Sequence, residues 1–308
     1  MTELPDTPPR REPVDQFNER TARRALTAAC QQVGLFADAV ELIRVGSNAV
    51  FRLSPDVVAR VAPSTGLLAN AVTQIDVARW LESVGLPAVR AVDVRQPVAA
   101  DGRVVTFWMS VALETVYAPI AEVARLIREL HKLPKPDDLE LPTLRPFGGA
   151  ADPVPEFPGL DAEDANLLKS HYMRARESFS DLPFVLPHGV IHGDANVGNV
   201  LVDEQGQAVL IDLDGFSLGP REWDLIQTAL FADRLGWHTP EEYRTFVEVY
   251  GYDITQWSGY EALADMREIA MTTWLSKKAG ESEKTAREAA RRIEAIRTGG
   301  SRKDWGAY

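Results

Sequence analysis

Hydrophobic and polar positions divide the first third of the chain into helical and strand-like segments. Apolar residues recur at helical spacing over residues 17–33, and Gly34 follows where a helix end favours a left-handed residue, which predicts a helix. Short β-branched runs within residues 40–61, separated by turn residues, predict three antiparallel strands. Helical spacing returns over residues 67–84, and two further strands are predicted at residues 92–96 and 104–111. The pattern therefore predicts an α+β lobe with a five-stranded antiparallel sheet.

Beyond residue 111 the pattern is mostly helical. One strand pair is predicted at residues 200–212, and residues 133–158, rich in proline and glycine, are predicted to form a surface connection. The predicted helices cover residues 119–132, 162–179, 223–234, 240–250, 260–277 and 281–296. We therefore expect an α+β chain with a flexible tail at residues 1–16, an N-terminal lobe at 17–111 and a helical C-terminal lobe at 112–308.

Composition narrows the classes of function. The 308 residues carry a formal net charge of −12, which argues against a nucleic-acid partner, because binding to phosphates needs clustered Lys and Arg. The acidity is compatible with a cationic substrate and also with a purely solubilising role. Cys30 is the only cysteine, so no intramolecular disulfide or Cys-based zinc site can form. No segment is long and apolar enough to span a membrane, and we expect a cytoplasmic protein without a membrane partner.

The densest polar signal lies in a loop between apolar flanks. The run from His192 to Asn199 includes Asp194, and Asp212 follows thirteen residues after Asn199, beyond a hairpin that folds it back. Phosphoryl transfer needs a carboxylate that accepts the proton of the attacking hydroxyl, and oxygen ligands that hold Mg²⁺ against a triphosphate. Asp194, Asn199 and Asp212 supply this set, and the step of five positions from Asp194 to Asn199 is the one that protein kinases use.

These residues resemble the motifs of the aminoglycoside phosphotransferase family, which is related to the choline, homoserine and fructosamine kinases. The matching segments are His192-Gly193-Asp194 through Asn199, Ile211-Asp212-Leu213-Asp214 and Gly219-Pro220-Arg221-Glu222-Trp223-Asp224-Leu225. The resemblance implies a bilobal protein-kinase-like fold. It also implies that Asp194 is the catalytic base, that Asn199 and Asp212 are Mg²⁺ ligands, and that Asp224 braces the catalytic loop.

The same resemblance implies that ATP or GTP binds to the N-terminal lobe, where the lobes meet. Arg60 stands at the strand position where kinases usually carry a phosphate-binding Lys, and Ser47 and Asn48 lie in a short turn that matches the nucleotide loop. Arg60 has an alternative interpretation as an edge-strand charge. The helix position that usually offers a Glu to this cation is best matched by Gln74, which means either a neutral hydrogen bond or a shifted register.

Other polar residues leave their roles open. Asp214 is either a further ligand near the metal or an acid that only supports the loop. The resemblance gives His192 a loop-orienting role, with general base as the alternative. Four acids could bind a cationic substrate, but they are more simply solvated helix faces: Asp233, Glu241, Asp265 and Glu268.

The sequence thus predicts a small-molecule kinase that transfers the γ-phosphate of ATP or GTP to a substrate hydroxyl. The resemblance favours an antibiotic acceptor of aminoglycoside, macrolide, nucleoside or peptide type, with antibiotic resistance as the outcome. A metabolite kinase for choline, an amino alcohol or a sugar is the alternative. A nucleotide-binding pseudokinase is disfavoured by the intact catalytic set. A metal-dependent hydrolase with His192, Asp194 and Asp212 as ligands lacks further spaced His ligands.

Overall fold

The computed structural model describes residues 17–37 and 40–307, which divide into two compact units. The first unit comprises the described residues up to Ile75 together with Arg90–Ser110. The second comprises Asp76–Val89 and the residues from Val111 onward. The predicted tail at residues 1–16 lies outside the described residues.

The first unit is a five-stranded antiparallel sheet with one helix packed on its face. This helix, α1 (Glu19–Val33), begins at Asn18, whose side chain accepts a hydrogen bond from the Thr21 N–H, and ends at Gly34 with a φ of 73°. The sheet has the order β1-β2-β3-β5-β4, with β1 Glu41–Val45, β2 Ala49–Ser54, β3 Val57–Ala62, β4 Val98–Ala100 and β5 Arg103–Met109. The expected α+β class and five-stranded antiparallel sheet are confirmed.

The fourth strand differs from the sequence prediction. Residues 92–96 form no regular strand, and β4 lies just after them. The Gln96 side chain accepts a hydrogen bond from the Phe107 N–H at 2.7 Å and donates one to the Phe107 carbonyl at 3.1 Å. The Val92 N–H still donates to the Phe107 carbonyl at 3.0 Å, but the Gln96 side chain takes the Phe107 N–H that would otherwise bond to the Val92 carbonyl.

Alternation along β3 fixes the place of Arg60. Ala59 and Val61 are fully buried in the core shared with α1, so Arg60, which lies between them, belongs to the opposite face of the sheet. Its Cα is opposite Val50 on β2 and Thr106 on β5. Because β3 is the central strand of the sheet, the interpretation of Arg60 as an edge-strand charge is wrong.

The second unit is mostly helical, and the division between the units falls within α2 (Leu68–Ser83). Its other helices are α3 Ile120–Lys132, α4 Ala162–Ser178, α5 Glu222–Asp233, α6 Pro240–Tyr250, α7 Tyr260–Ser276 and α8 Glu283–Thr298. Two small antiparallel sheets pair β6 (Gly189–Ile191) with β9 (Ser217–Gly219) and β7 (Val200–Val202) with β8 (Ala208–Leu210). Within residues 17–37 and 40–307, no helix combines the length and hydropathy that a bilayer crossing requires.

The proline- and glycine-rich connection before α4 is anchored to the core, and not only a surface segment as the sequence predicted. Phe147 and Phe157 are almost fully buried, in one cluster with side chains of α4, α7 and α8. Burial of two phenylalanine rings stabilises this segment by roughly 2 kcal/mol for each ring. The connection therefore has a defined path across the helical unit.

Candidate active site

Two small sheets hold the segments that carry the predicted catalytic residues. The 192–199 loop runs from the end of β6 to the start of β7, and the 211–216 segment runs from the end of β8 to the start of β9. Because β6 pairs with β9 and β7 pairs with β8, the loop and the segment are joined to each other at both ends. The fold thereby brings Asp194, Asn199 and Asp212 into one region of the second unit.

Asp194 and Asn199 contact each other directly. The Asn199 amide nitrogen donates to the Asp194 carboxylate at 2.9 Å and to the Asp194 backbone carbonyl at 2.8 Å. Since both amide hydrogens are directed at Asp194, the amide oxygen is the atom that remains for a cation. Asn196 closes the same turn, because its side chain donates to the Asp194 carbonyl at 2.9 Å and accepts from the Gly198 N–H at 2.8 Å.

Asp212 stands next to this pair. The Ile211 N–H donates to the Asn199 carbonyl at 2.9 Å, so Asp212 directly follows a residue that is bonded to Asn199. Asp212 has a φ of 61° and a ψ of 65°, a left-handed conformation that is uncommon for any residue other than glycine. Its side chain is partly buried, whereas Asp214 is exposed. Backbone strain of this kind clusters at functional sites.

The donor set of Asn199 and Asp212 fits Mg²⁺. This ion takes one or two carboxylates, keeps several waters and completes its shell with phosphate oxygens, so it needs no cage of protein ligands. Among residues 17–37 and 40–307, no three His, Cys, Asp or Glu side chains gather into a metal-binding group. That arrangement disfavours the metal-dependent hydrolase, which needs three such ligands.

His192 uses both ring nitrogens within the loop. Its Nε2 lies 2.9 Å from the Ile211 carbonyl, and its Nδ1 accepts from the Asp194 N–H at 3.3 Å. The residue is fully buried. His192 therefore links the loop to the 211–216 segment, and it has neither the exposure nor the vacant nitrogen that a general base requires.

Asp224 supports the loop from the first turn of α5. Its two carboxylate oxygens accept the N–H groups of His192 at 2.7 Å and Gly193 at 2.8 Å, and Nε2 of His131 lies 3.0 Å from one of them. Burial raises the pKa of Asp224, but the hydrogen bond from His131 and the backbone N–H of His192 hold that pKa below its ordinary value. The neighbouring Trp223 donates its indole N–H to the Gly193 carbonyl at 2.9 Å.

Gly193 lies where the loop and the 211–216 segment approach most closely. Its φ is 85°, and a Cβ atom at this position would lie 2.2 Å from the Gly215 carbonyl oxygen. Only glycine satisfies both the left-handed backbone and the contact.

Gly193→Ala is therefore expected to lower the free energy of unfolding by about 3 kcal/mol or more, as the sum of left-handed strain and overpacking. Gly206→Ala is the matched control, because Gly206 has a φ of 82° but no neighbour within 4 Å of the added Cβ. The control should lose only about 1–2 kcal/mol. Chemical denaturation of both variants measures the difference, and equal losses would contradict the close approach.

Arg267 on α7 is a site residue that the sequence did not reveal. Its Nη2 atom donates to Asp194 Oδ1 at 2.5 Å and also to the Gln227 side chain, and its guanidinium lies 4.8 Å from the centroid of the Trp223 ring. Arg267 is 73 residues from Asp194 in the sequence, in no motif with it. The only local signal was a basic residue within the apolar pattern of a buried helix.

The residues predicted to bind the nucleotide belong to the first unit. Arg60 lies on the sheet face opposite α1, and Ser47 and Asn48 lie in the turn between β1 and β2, where the Gly46 N–H donates to the Asn48 carbonyl at 3.0 Å. Gln74 is buried, and its side chain donates to Asn70 one turn earlier in α2. A neutral hydrogen bond within the helix thus accounts for the Gln74 amide, and its pairing with Arg60 stays a prediction.

A cavity of about 540 Å³ in the second unit contains Asp265 and Glu268, two acids considered above for a cationic substrate. Asp265 pairs with Arg234 at 2.7 Å, and Glu268 pairs with Arg234 and Arg302, both at 2.9 Å. Their charges are therefore already matched by arginines. This arrangement favours the structural interpretation of these acids.

Comparison with known proteins identifies the family. The family model APH, described as the phosphotransferase enzyme family, matches residues 39–265. A search of curated proteins found no match.

Solved structures share the fold at low sequence identity. Amicoumacin kinase hAmiN, in complex with AMP-PNP, Ca²⁺ and Ami, has a TM-score of 0.67 at 12% identity, with 94% of this chain and 96% of that chain covered. A microcompartment-associated aminopropanol kinase has a TM-score of 0.65 at 16% identity, covering 91% and 95%. Aminoglycoside phosphotransferase APH(3'')-Id from Streptomyces rimosus has a TM-score of 0.59 at 18% identity, covering 80% and 97%. The expected kinase-like fold is confirmed.

Proposed function

The chain belongs to the APH phosphotransferase enzyme family and is a small-molecule kinase that acts on hydroxyl groups, and from this we propose a complete assignment of its site. The donor is ATP or GTP with Mg²⁺, and the acceptor is a hydroxyl of an antibiotic. Asp194 is the catalytic base, and Asn199 and Asp212 ligate Mg²⁺. Arg60, Ser47 and Asn48 bind the nucleotide phosphates, so residues 17–111 form the nucleotide lobe and residues 112–308 hold the catalytic loop and the acceptor.

The observation that carries this proposal is the mutual contact of Asp194 and Asn199. The Asn199 amide directs its hydrogens at Asp194 and keeps its oxygen for a cation, so the base and the ligand are fixed relative to each other. Phosphoryl transfer depends on such positioning, because the protein contributes little covalent chemistry. Neither a turn-capping Asp nor a turn amide alone accounts for an amide that donates to both the carboxylate and the backbone carbonyl of one aspartate.

In the proposed reaction Asp194 accepts the proton of the acceptor hydroxyl. The acceptor oxygen forms a bond to the γ-phosphorus while the bond from that phosphorus to the bridging oxygen breaks. The products are the phosphorylated acceptor, the nucleoside diphosphate and a proton that Asp194 passes to water. The Asp194 side chain is 47% exposed, so an acceptor can reach it. When bound, Mg²⁺ neutralises charge on the phosphate oxygens.

We assign nucleotide binding to Arg60, the one basic residue of the central strand β3. The Arg60 guanidinium can bind phosphate oxygens in a bidentate manner, which a Lys cannot do. Its face of the sheet is the one not covered by α1. Arg60 therefore binds the phosphates where related kinases use a Lys, and its contact geometry differs from that of a Lys.

The acceptor class draws on the similar structures. Two of the three structures compared above are named as an amicoumacin kinase and an aminoglycoside phosphotransferase, which favours an antibiotic acceptor and a resistance role in the cytoplasm. The aminopropanol kinase has nearly the same TM-score as the amicoumacin kinase, and that supports a second candidate, a kinase of an amino alcohol, choline or a sugar.

The test is a transfer assay with Mg·ATP and Mg·GTP against a panel of acceptors. The panel contains amicoumacin, streptomycin, kanamycin and spectinomycin beside choline, ethanolamine and aminopropanol, with a macrolide, a nucleoside antibiotic and a sugar added. Mass spectrometry identifies the compound that gains one phosphoryl group. Highest kcat/KM on an antibiotic supports the proposal, and highest kcat/KM on a metabolite selects the second candidate. Nucleotide binding without transfer or phosphate release would identify a pseudokinase.

Asn199→Ala is expected to raise the Mg²⁺ concentration for half-maximal activity by about 10- to 100-fold, because the cation loses one protein oxygen. Asn196→Ala is the control within the same loop, since the Asn196 amide bonds only to the loop backbone in the described contacts. The control should lower stability by about 1 kcal/mol and leave the Mg²⁺ requirement unchanged. A Mg²⁺ titration of initial rates checks both, and an unchanged requirement in Asn199→Ala would remove Asn199 from the ligand set.

A further inference from the structure

We propose that Arg267 is a positioning residue that orients the Asp194 carboxylate for proton abstraction. The inference rests on the proposed role of Asp194 as base. It adds a residue of α7 to the catalytic region, whose sequence motifs lie within residues 192–225.

The contacts fix Asp194 through both of its carboxylate oxygens. Oδ1 accepts from Arg267 at 2.5 Å, and Oδ2 accepts from Asn199 at 2.9 Å. Two donors on different oxygens prevent rotation of the carboxylate about its Cβ–Cγ bond. Each oxygen retains a lone pair, because an ionised carboxylate has about four acceptor sites, and the side chain remains 47% exposed. The carboxylate is thus both oriented and open to an acceptor hydroxyl.

Arg267 is itself held in place by α5. Its side chain is only 8% exposed, Gln227 accepts from the same Nη2 atom, and the guanidinium lies over the Trp223 ring. Trp223 also donates to the Gly193 carbonyl in the 192–199 loop. One tryptophan therefore contacts both the loop and the arginine, which fixes the distance between Asp194 and its cation.

The alternative is that Arg267 only fastens α7 to the loop. Its Nε–H is buried without a hydrogen-bond partner among the described residues, so the side chain does not complete a saturated network. Only the arginine of this ion pair is buried, and a pair with a half-exposed carboxylate and an unsatisfied donor contributes little net stability. Its Nη2 atom bonds to Gln227 within the helical unit and to the carboxylate of the proposed base, so one of its two hydrogen-bond partners is a group of the reaction centre.

Arg292 on α8 provides a matched control. It is also a buried arginine, it pairs with Glu288 at 3.0 Å, and its guanidinium lies 5.0 Å from the centroid of the Trp305 ring. Like Arg267, Arg292 pairs with a carboxylate and lies over a tryptophan ring, but its carboxylate partner is outside the catalytic loop and the segments that contact it. The Arg292→Ala variant therefore measures how the loss of a buried arginine changes stability when the proposed base keeps its contacts.

The experiment compares Arg267→Ala, Arg267→Lys, Arg292→Ala and Asp194→Ala with the wild type. The probe is phosphoryl transfer from Mg·ATP or Mg·GTP to the most active acceptor of the panel, or phosphate release to water if no acceptor reacts. Thermal unfolding and nucleotide titration give the folded fraction of each variant, and rates are expressed per folded molecule. Ethylguanidinium at low millimolar concentration is added to each variant as a substitute for the missing side chain.

Arg267→Ala is expected to lower kcat by roughly 100-fold with little change in the KM for nucleotide, which is the effect of a misplaced catalytic group. The kcat of Arg267→Lys should be about tenfold higher than that of Arg267→Ala, because lysine restores the charge without the planar guanidinium. Ethylguanidinium should raise kcat of Arg267→Ala and not that of Arg292→Ala.

Equal kcat losses in Arg267→Ala and Arg292→Ala, without rescue of either, would overturn the inference and leave Arg267 a structural residue. Full kcat in Arg267→Ala, with activity abolished in Asp194→Ala, would also overturn it while the proposed function stands. Full kcat in Asp194→Ala would instead overturn the proposed function.

Discussion

Asp194→Ala is expected to reduce phosphoryl transfer by roughly 10²–10⁴-fold, the range that a general base contributes. The variant lacks a carboxylate that contacts Asn199 and has a side chain 47% exposed to an acceptor. Nucleotide affinity should be nearly unchanged, because the proposed phosphate contacts lie in residues 17–111. Initial rates and nucleotide titration measure the two effects separately.

The same variant also leaves Arg267 without its carboxylate partner. Arg267 is buried, so the loss of its partner lowers stability, and part of any loss in crude activity would come from unfolding. Rates must therefore be normalised to the folded fraction. Asp203→Ala is the control, since Asp203 holds the β7–β8 hairpin through the N–H groups of Gln205 and Gln207. It should destabilise the hairpin and keep kcat, and turnover of Asp194→Ala at the rate of Asp203→Ala would disprove the base assignment.

The sequence was sufficient to predict that Asp194, Asn199 and Asp212 lie in one region. A polar loop between the apolar segments of β6 and β7 can only lie at the end of those strands, and the β7–β8 hairpin returns the chain beside its starting point. Local spacing therefore determines that Asp212 comes close to Asn199. The left-handed backbone of Asp212 was not visible, because it results from the surrounding contacts and not from residue preference.

Other features depend on contacts between distant residues. The β6–β9 pairing joins strands of three residues, which are too short for a periodic signal. The position of β4 depends on one Gln96 side chain that bonds to the backbone of Phe107. Arg267 reaches Asp194 because α5 and α7 pack together, and its place as a basic residue in the apolar pattern of α7 does not reveal which residue it contacts. Contacts between residues joined by a short hairpin were thus predictable from the sequence. Contacts between helices that are distant in the sequence were not.

Asp224→Ala is expected to lower the free energy of unfolding by about 4 kcal/mol. The carboxylate is fully buried and accepts two backbone N–H groups of the 192–199 loop, while His131 contacts it from α3. Alanine would leave all three donors buried without an acceptor. Asp161→Ala is the control, because the exposed Asp161 caps α4 through a single N–H and should cost about 1 kcal/mol. Losses of the same size in urea denaturation would contradict the role of Asp224 as a brace.

The pH dependence of stability gives an independent measure of the same contacts. The pKa of Asp224 lies below its usual value of 3.8 in the folded protein, so the ionised carboxylate stabilises the fold at pH values above about 4. That contribution is lost as the pH falls through the lowered pKa, because protonation then costs the native state more than the unfolded state. The wild type should consequently lose stability more steeply than Asp224→Ala as the pH falls below about 4. Parallel pH profiles of the two proteins would mean that the pKa of Asp224 is the same in the folded and unfolded states. The hydrogen bonds from His192, Gly193 and His131 would then not favour the charged form.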